Sequence, residues 1–296
     1  MTIFDISYFF SAGLICALVL CLPVTGHGQP TSENDKFETL GKQYIEEFPA
    51  FSPVKATYLG DHRYDDQLDD VGEQARQRKL HWFVKIEEAL KAIDRSKLSR
   101  ENQVDYALMK HSVESQKWEQ QTLQEWAWNP LEYTEITGSA VYSLMARDFA
   151  PVSERLHNVG KRLQQFPRFL SQVRETLDPK RVPAVHAKTA LAQNRGVLKS
   201  IENFVVPQLD QLPDIERREL LNAIELATSA VHKHQEWLEK ELLPNAKGNY
   251  QLGVELYEQK LKYSLHSPLR RPEIRQRSES FMEELHEQMY EIAKTI

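Results

Sequence analysis

The sequence predicts an all-α protein, on three observations. Glycine supplies only 11 of the 296 residues, few for a chain built from strands and tight turns. Alternation of apolar and polar residues with a period of two is scarce. Beyond residue 70, apolar residues recur instead at steps of three and four, the spacing of one helix face. Charged residues make up 27%, with a net charge of −6. That describes a mildly acidic surface and excludes a general nucleic-acid binder, which needs a basic excess against phosphate. No repeat at the period of a helical array is present.

Residues 1–28 stand apart. Ile6 to Val24 is nearly all apolar and gives way to Thr25-Gly26-His27-Gly28 and polar sequence. This predicts a signal peptide cleaved near Gly26–Gly28, and so an exported protein, periplasmic or extracellular. Asp5 is present and no Lys or Arg precedes the run, so an uncleaved anchor is the alternative. Cys16 and Cys21 follow Ile15 and Leu20, both too bulky for a typical lipoprotein cleavage site. A cleaved product has no cysteine, which rules out disulfides and thiolate chemistry.

Residues 35–48 carry a short stripe (Phe37, Leu40, Tyr44, Ile45, Phe48) that ends at Pro49. Residues 53–70 then abandon helical spacing and crowd together a Gly, a His, an Arg, two Tyr and five Asp. Gly60 permits a turn that other residues resist. Gly60, His62, Tyr64 and Asp65 read as a structural clasp fastened by side-chain hydrogen bonds. Asp70 and Glu73 have capping-box spacing and open a helix with Leu80, Phe83, Ile86, Leu90 and Ile93 inward. Ser99 caps the next, on which Val104, Leu108, His111 and Trp118 share a side. His111 there reads as a core histidine rather than a ligand. Trp126-Ala127-Trp128-Asn129-Pro130-Leu131 breaks the pattern. Its two indoles and Tyr133 could line a cleft, but plugging the gap between helix pairs is the plainer reading.

Helices are predicted over 135–147 and 151–177, then one from Pro183 to about Leu209 with Val185, Leu191, Leu198, Ile201 and Val205 apolar. Gly196 sits inside it at a cost of roughly 1 kcal/mol relative to Ala, tolerable where a backbone or a ligand comes close. Gln193, Asn194 and Arg195 beside it are candidate polar residues of a substrate cleft; ordinary buried hydrogen bonds at a helix crossing are the alternative. Residues 213–243 place Leu221, Ile224, Thr228, Val231, Gln235, Leu238 and Leu242 on one side. His232 and His234 diverge by about 200° and cannot chelate one ion from a regular helix. After a turn at 243–249, Gly253 opens a helix to about Ser264. The last helix begins near Pro272, with Ile274, Phe281, Leu285, Met289, Ile292 and Ile296 inward. Its apolar face runs to the end without a stop signal, so residues 35–296 read as the N-terminal part of one helical domain, truncated at 296.

Three stretches carry a resemblance: Pro53-x-x-Ala56-Thr57-x-x-Gly60-x-His62-x-Tyr64-Asp65-x-x-Leu68-x-Asp70, then Ala187 to Gly196, then Leu252-Gly253-Val254-Glu255-Leu256-Tyr257. In that order they resemble the landmarks of the bacterial family known as domain of unknown function 885, from about residue 35 to the last residue. The resemblance implies an exported protein with a multi-helix fold similar to angiotensin-converting enzyme and related zinc peptidases. Glu255 and Tyr257 of the third stretch join Gln193, Asn194 and Arg195 as candidate cleft-wall residues.

The family's metal-associated Pro-Gly-His stretch has no counterpart here, since Gly26-His27 lies in the leader. His286-Glu287-Gln288-Met289-Tyr290 comes nearest to a His-Glu-x-x-His metal motif, with Tyr290 in place of the second His. There is no Gly-x-Ser-x-Gly elbow or phosphate-cradling glycine loop. Adjacent carboxylates such as Asp65/Asp66 and Glu283/Glu284 show nothing that would separate their pKa values. No catalytic or metal-binding residue is assigned, and zinc is expected only in a longer form. The expected function is the N-terminal cleft wall of an exported protein resembling zinc metallopeptidases, with the missing C-terminal half and peptides as partners. A non-catalytic helical interaction or scaffold protein of the cell envelope is the alternative. No nucleic-acid partner is expected, and a membrane only through an uncleaved N-terminus.

Overall fold

A computed structural model describes residues 32–295. The predicted signal peptide and Ile296 lie outside the described residues. The chain is all-α. Its helices are α1 (Glu33–Glu47), α2 (Pro53–Leu59), α3 (Glu73–Lys91), α4 (Arg100–Trp118), α5 (Pro130–Met145), α6 (Val152–Gln164), α7 (Phe166–Thr176), α8 (Ala184–Ser200), α9 (Asp214–Trp237), the single turn α10 (Leu243–Asn245), α11 (Gly253–Leu265) and α12 (Arg271–Ala293). None of the described helices is long and apolar enough to cross a membrane.

Local chemistry sets most starts. Ser32 and Asp35 form a reciprocal capping box on α1. Ser99 accepts from the Asn102 N–H to open α4, and Asn129 from the Leu131 N–H to open α5. The expected cap of α3 by Asp70 is not formed: Gly72 takes the cap position without a side-chain bond. The Asp70 carboxylate turns instead to the Gly72 N–H and the Gln172 amide.

Two apolar cores result. One gathers α5 to α9, with Leu156, Val159, Phe166, Phe169, Leu170 and Val231 enclosed. The other joins α1, α3 and α4 through Phe37, Leu40, Trp82, Phe83, Ile86, Leu90 and Val113. Full burial of one such Phe or Leu contributes roughly 1.5–3 kcal/mol, so each core alone outweighs any surface ion pair.

The 53–70 stretch differs from its expected form, because Pro53–Leu59 is a helix that packs on α5. Gly60 ends it in the left-handed region (φ 93°), where the Gly60 and Asp61 N–H groups bond back into its last turn. Beyond it the clasp residues converge on Arg162, which is fully buried. The Asp65 carboxylate accepts from Thr57 Oγ1 at 2.6 Å and pairs with His62 Nδ1 at 2.9 Å. Arg162 donates to Thr57 Oγ1, the Gln67 carbonyl and the Ala140 carbonyl, and reaches the Tyr64 carbonyl at 3.5 Å. His62 stacks on Phe149 with ring centroids 3.7 Å apart. These bonds tie α2 to α5 and α6.

Other expectations are corrected. The helix from Pro183 stops at Ser200, widens over Ile201–Val205 and tightens over Val206–Gln211, because Pro207 cannot donate the next helical bond. Val185, expected inward, is exposed. On α9 the inward face is Leu220, Ala223, Ala227, Val231 and His234, while Leu221 is exposed; small alanines let α6 and α8 approach closely and rotate the first half of the buried stripe by one residue. On α4 the buried side is Tyr106 and Val113. Val104 and Leu108 are exposed, whereas His111 and Trp118 meet α11, His111 Nε2 on the Tyr263 carbonyl at 2.8 Å and Trp118 Nε1 on Gln259 at 2.6 Å. Phe281, Met289 and Ile292 of α12, expected inward, are 59%, 65% and 61% exposed.

Gly196 has open space where a Cβ would stand, so neither a close backbone nor packing explains it. Gly248 is the opposite case: its N–H bonds the Val182 carbonyl at 2.9 Å, and a Cβ would meet the Arg181 carbonyl oxygen.

Candidate functional site

Where the two cores meet lies a half-open cavity of about 400 Å³. Its floor comes from the segment before α2 (Phe51, Ser52), one side from α3 (Arg76, Lys79), and the other from the end of α4 and the start of α5 (Glu119, Trp126, Glu132, Tyr133). After α4 the backbone opens into a widened turn, Glu119–Leu123, closed by the Gln124 N–H on the Glu119 carbonyl at 2.7 Å. Gln124 then adopts φ 52°, unusual for a side chain with a Cβ. A widened turn of this kind often marks a functional position. Here it brings Glu119 and Glu125 towards Glu132 in the first turn of α5, so that one oxygen from each lies within 4.8 Å of the others.

Charge in the cavity is held out of solvent. Burial pushes the Glu132 carboxyl up to about 8, with Glu125 and Glu119 adding repulsion. Burial raises the Glu119 and Asp69 carboxyls as well, and lowers the Lys79 ammonium. Glu125 is neutralised locally: Asn129 donates to it at 2.9 Å and Lys260 Nζ lies at 3.4 Å. Glu119 and Glu132 have no hydrogen bond or ion pair to any described side chain. Lys79 reaches only Ser52 Oγ, at 3.4 Å. Arg76 donates to the Val71 carbonyl and Thr176 Oγ1 and lies over the Trp126 ring at 4.3 Å. No described carboxylate comes within 4 Å of either cation. Tyr133, nearly enclosed, donates to the Trp126 carbonyl at 2.6 Å.

Among the described residues, the one grouping of donors close enough for a metal is this carboxylate trio. An all-oxygen set suits hard cations, whereas zinc sites draw on His and Cys. The residues described therefore do not fit zinc, and no zinc-dependent step is assigned to them.

The sequence-derived cleft candidates are not brought together. Asn194 is buried and donates to Gln235 Oε1 at 2.8 Å and to the Val231 carbonyl, a bond between α8 and α9. Gln193 and Arg195 are exposed on the other faces of α8, Gln193 beside a shallow groove with Gly138, Ser139 and Tyr142. Glu255 and Tyr257 are exposed on α11. None of the five lines the cavity. Trp126 and Tyr133, read in sequence mainly as plugs, do line it; Trp128 is the plug, stacked on His186 and bonded to the Leu123 carbonyl. Sequence reasoning missed Glu119, Glu132, Lys79 and Asp69. The one available signal was the set of glutamates at 119, 125 and 132 flanking the Trp126–Pro130 break.

The family model described as "Bacterial protein of unknown function (DUF885)" matches residues 53–296. A solved Shewanella oneidensis structure, described as a candidate lipoprotein of unknown function, matches with a TM-score of 0.78 at 23% identity. The match covers 86% of this chain and 47% of that one, so the chain spans about half the length of that structure. No curated protein matches the chain in sequence.

Proposed function

The chain belongs to the DUF885 family of bacterial proteins of unknown function, and from that premise we propose that it forms the N-terminal wall of an exported, zinc-peptidase-like protein. In this reading the cavity between the two cores is a binding pocket, and the reactive centre is supplied by further sequence. The observation that carries it is the exposed apolar face of α11–α12, on the side of α11 away from α4. Neither helix buries a single described residue, although Val254, Tyr257, Phe281, Met289 and Ile292 are all exposed along them. An apolar surface of that extent marks a place where something docks. The half-length structural match leaves room for such a partner, since that structure is about twice as long as the part this chain matches. Export is supported by the apolar leader.

The test compares this chain with a form extended along its natural reading frame. Extension should protect α11–α12 amides from hydrogen exchange, and zinc content and peptide hydrolysis should appear only in the longer form. A reading frame that stops at Ile296, or an extended form that holds no zinc and leaves peptides intact, overturns the proposal. The second outcome with α11–α12 still protected would favour the silent interaction module.

A further inference from the structure

We propose that the cavity between the two cores binds a small zwitterion of the α-amino-acid class, its carboxylate held by Lys79 and Arg76 and its ammonium by Glu119 and Glu132. Lys79, Arg76, Glu119 and Glu132 share one space and form no ion pair with one another. Lys79 and Arg76 line one side, Glu119 and Glu132 the other. The Lys79 ammonium has only the Ser52 hydroxyl at 3.4 Å, and the two glutamates have no partner among the described side chains. Partly buried charges normally find each other or shed their charge. Here the helices hold them on opposite walls of about 400 Å³ of empty space, within the size range of small-molecule pockets, roughly 300–1,000 Å³.

Simpler ligands leave a fault behind. A divalent cation on the carboxylate trio would sit beside Lys260, already 3.4 Å from Glu125, and would leave Lys79 and Arg76 unmatched. A plain amine would do the same. A plain anion would satisfy Lys79 and Arg76 but face Asp69, Asp70, Glu119 and Glu132 on the same lining. Only a ligand carrying both charges satisfies both walls with charge-assisted bonds. Trp126, Phe51 and Ile136 supply apolar lining for a side chain between the charged ends. Asp69, nearly enclosed and fixed by the Val54 N–H at 3.1 Å, lies on the same lining, and its attraction partly offsets the burial that lowers the Lys79 ammonium. Burial holds Glu132 largely in its neutral form at neutral pH, so an arriving ammonium draws it into its charged form with release of its proton.

This inference rests on reading the cavity as a binding pocket, but on no hydrolytic role and no further sequence. The full chain is titrated by calorimetry with L-leucine, N-acetyl-L-leucine and L-leucinamide at neutral pH, and separately with calcium. Leucine should bind, and each blocked form should bind at least about tenfold more weakly, since each loses one charge-assisted anchor. Lys79→Met should weaken leucine without further weakening leucinamide; Glu132→Gln should weaken leucine without further weakening the N-acetyl form. That crossed pattern cannot come from misfolding. No leucine binding, equal binding of the blocked forms, or calcium binding with no leucine binding overturns the proposal. Failure of zinc or hydrolysis in the extended form would sink the earlier reading and leave this one standing.

Discussion

Helices α9 and α12 are nearly equal in length, 24 and 23 residues, and both carry an amphipathic stripe. α9 lies against α6, α7 and α8 and buries Leu220, Ala223, Ala227 and Val231. α12 buries nothing. An apolar stripe therefore tells which face of a helix seeks cover, not what provides it. The buried apolar side chains lie in the α5–α9 bundle and the α1–α3–α4 group, while α11–α12 leave their apolar side chains exposed.

The comparison breaks most sharply at Arg162, the fastening between α2 and the bundle. Its guanidinium is fully enclosed and faces Asp65 at 4.0 Å; burial lowers its pKa to about 10 while Asp65 and Asp69 favour its charged form. Arg162→Met leaves a buried carboxylate pair without its cation and costs about 3–5 kcal/mol. Denaturant melts should show that loss. A loss under about 1 kcal/mol would mean that the clasp is ornament and the apolar cores alone position α2.

Next in size is a matched pair of truncations. Leu238, at the end of α9, is 1% exposed, and Leu238→Ala should cost about 2–5 kcal/mol. Leu285→Ala on α12 should change the stability of this chain by no more than about 0.5 kcal/mol. Equal costs would show that α12 is covered in solution by something unseen here.

The difference between the two helices also bounds what the sequence could reveal. The all-α class, most helices and the cap at Ser99 follow from spacing and local chemistry, which act over a few residues; the cap at Asn129, which starts α5 at Pro130 rather than 135, was not read. On the 213–243 stripe Val231, Leu238 and Leu242 are inward as read, but in the first half the face runs through Leu220, Ala223 and Ala227 instead, because alanines, weak markers of burial in sequence, line the contacts with α6 and α8. The clasp residues were legible as a group, since Gly60, His62, Tyr64 and Asp65 are close in sequence; their common partner Arg162, about a hundred residues away, was not. The cavity was illegible for the same reason. Ser52, Lys79, Glu119 and Glu132 share no periodicity, and only the meeting of two cores brings them to one space. Asn194 and Arg195 drew notice as neighbours of the mid-helix Gly196, and Glu255 and Tyr257 through motif resemblance; neither signal says which way a side chain faces.

Two buried ionisable groups sharpen the comparison through pH, with opposite signs. Burial, with the Arg174 charge beside it, lowers His234 from 6.5 to about 3. Folded His234 stays neutral while the unfolded chain takes a proton, so its contribution is complete above pH 6.5 and lost as pH falls towards 3. Glu132 is raised from 4.5 to about 8. Its contribution is complete below pH 4.5 and lost as pH rises through 8. Thermal melts of His234→Leu should therefore lose part of the acid limb, and those of Glu132→Gln part of the decline between pH 4.5 and 8. Profiles parallel to the parent across the whole range would contradict both assignments.

The smallest effects separate two neighbours on α8. Asn194 is enclosed and joins α8 to α9 through Gln235, which returns a bond to the Leu191 carbonyl at 3.3 Å. Asn194→Ala strands the Gln235 carbonyl oxygen and the Val231 carbonyl, at about 1–3 kcal/mol. Arg195 points to solvent, and Arg195→Ala should stay within about 0.5 kcal/mol. If Arg195→Ala proved the costlier of the two, α8 would have a partner over its outer face, and the open surface of this chain would extend beyond α11–α12.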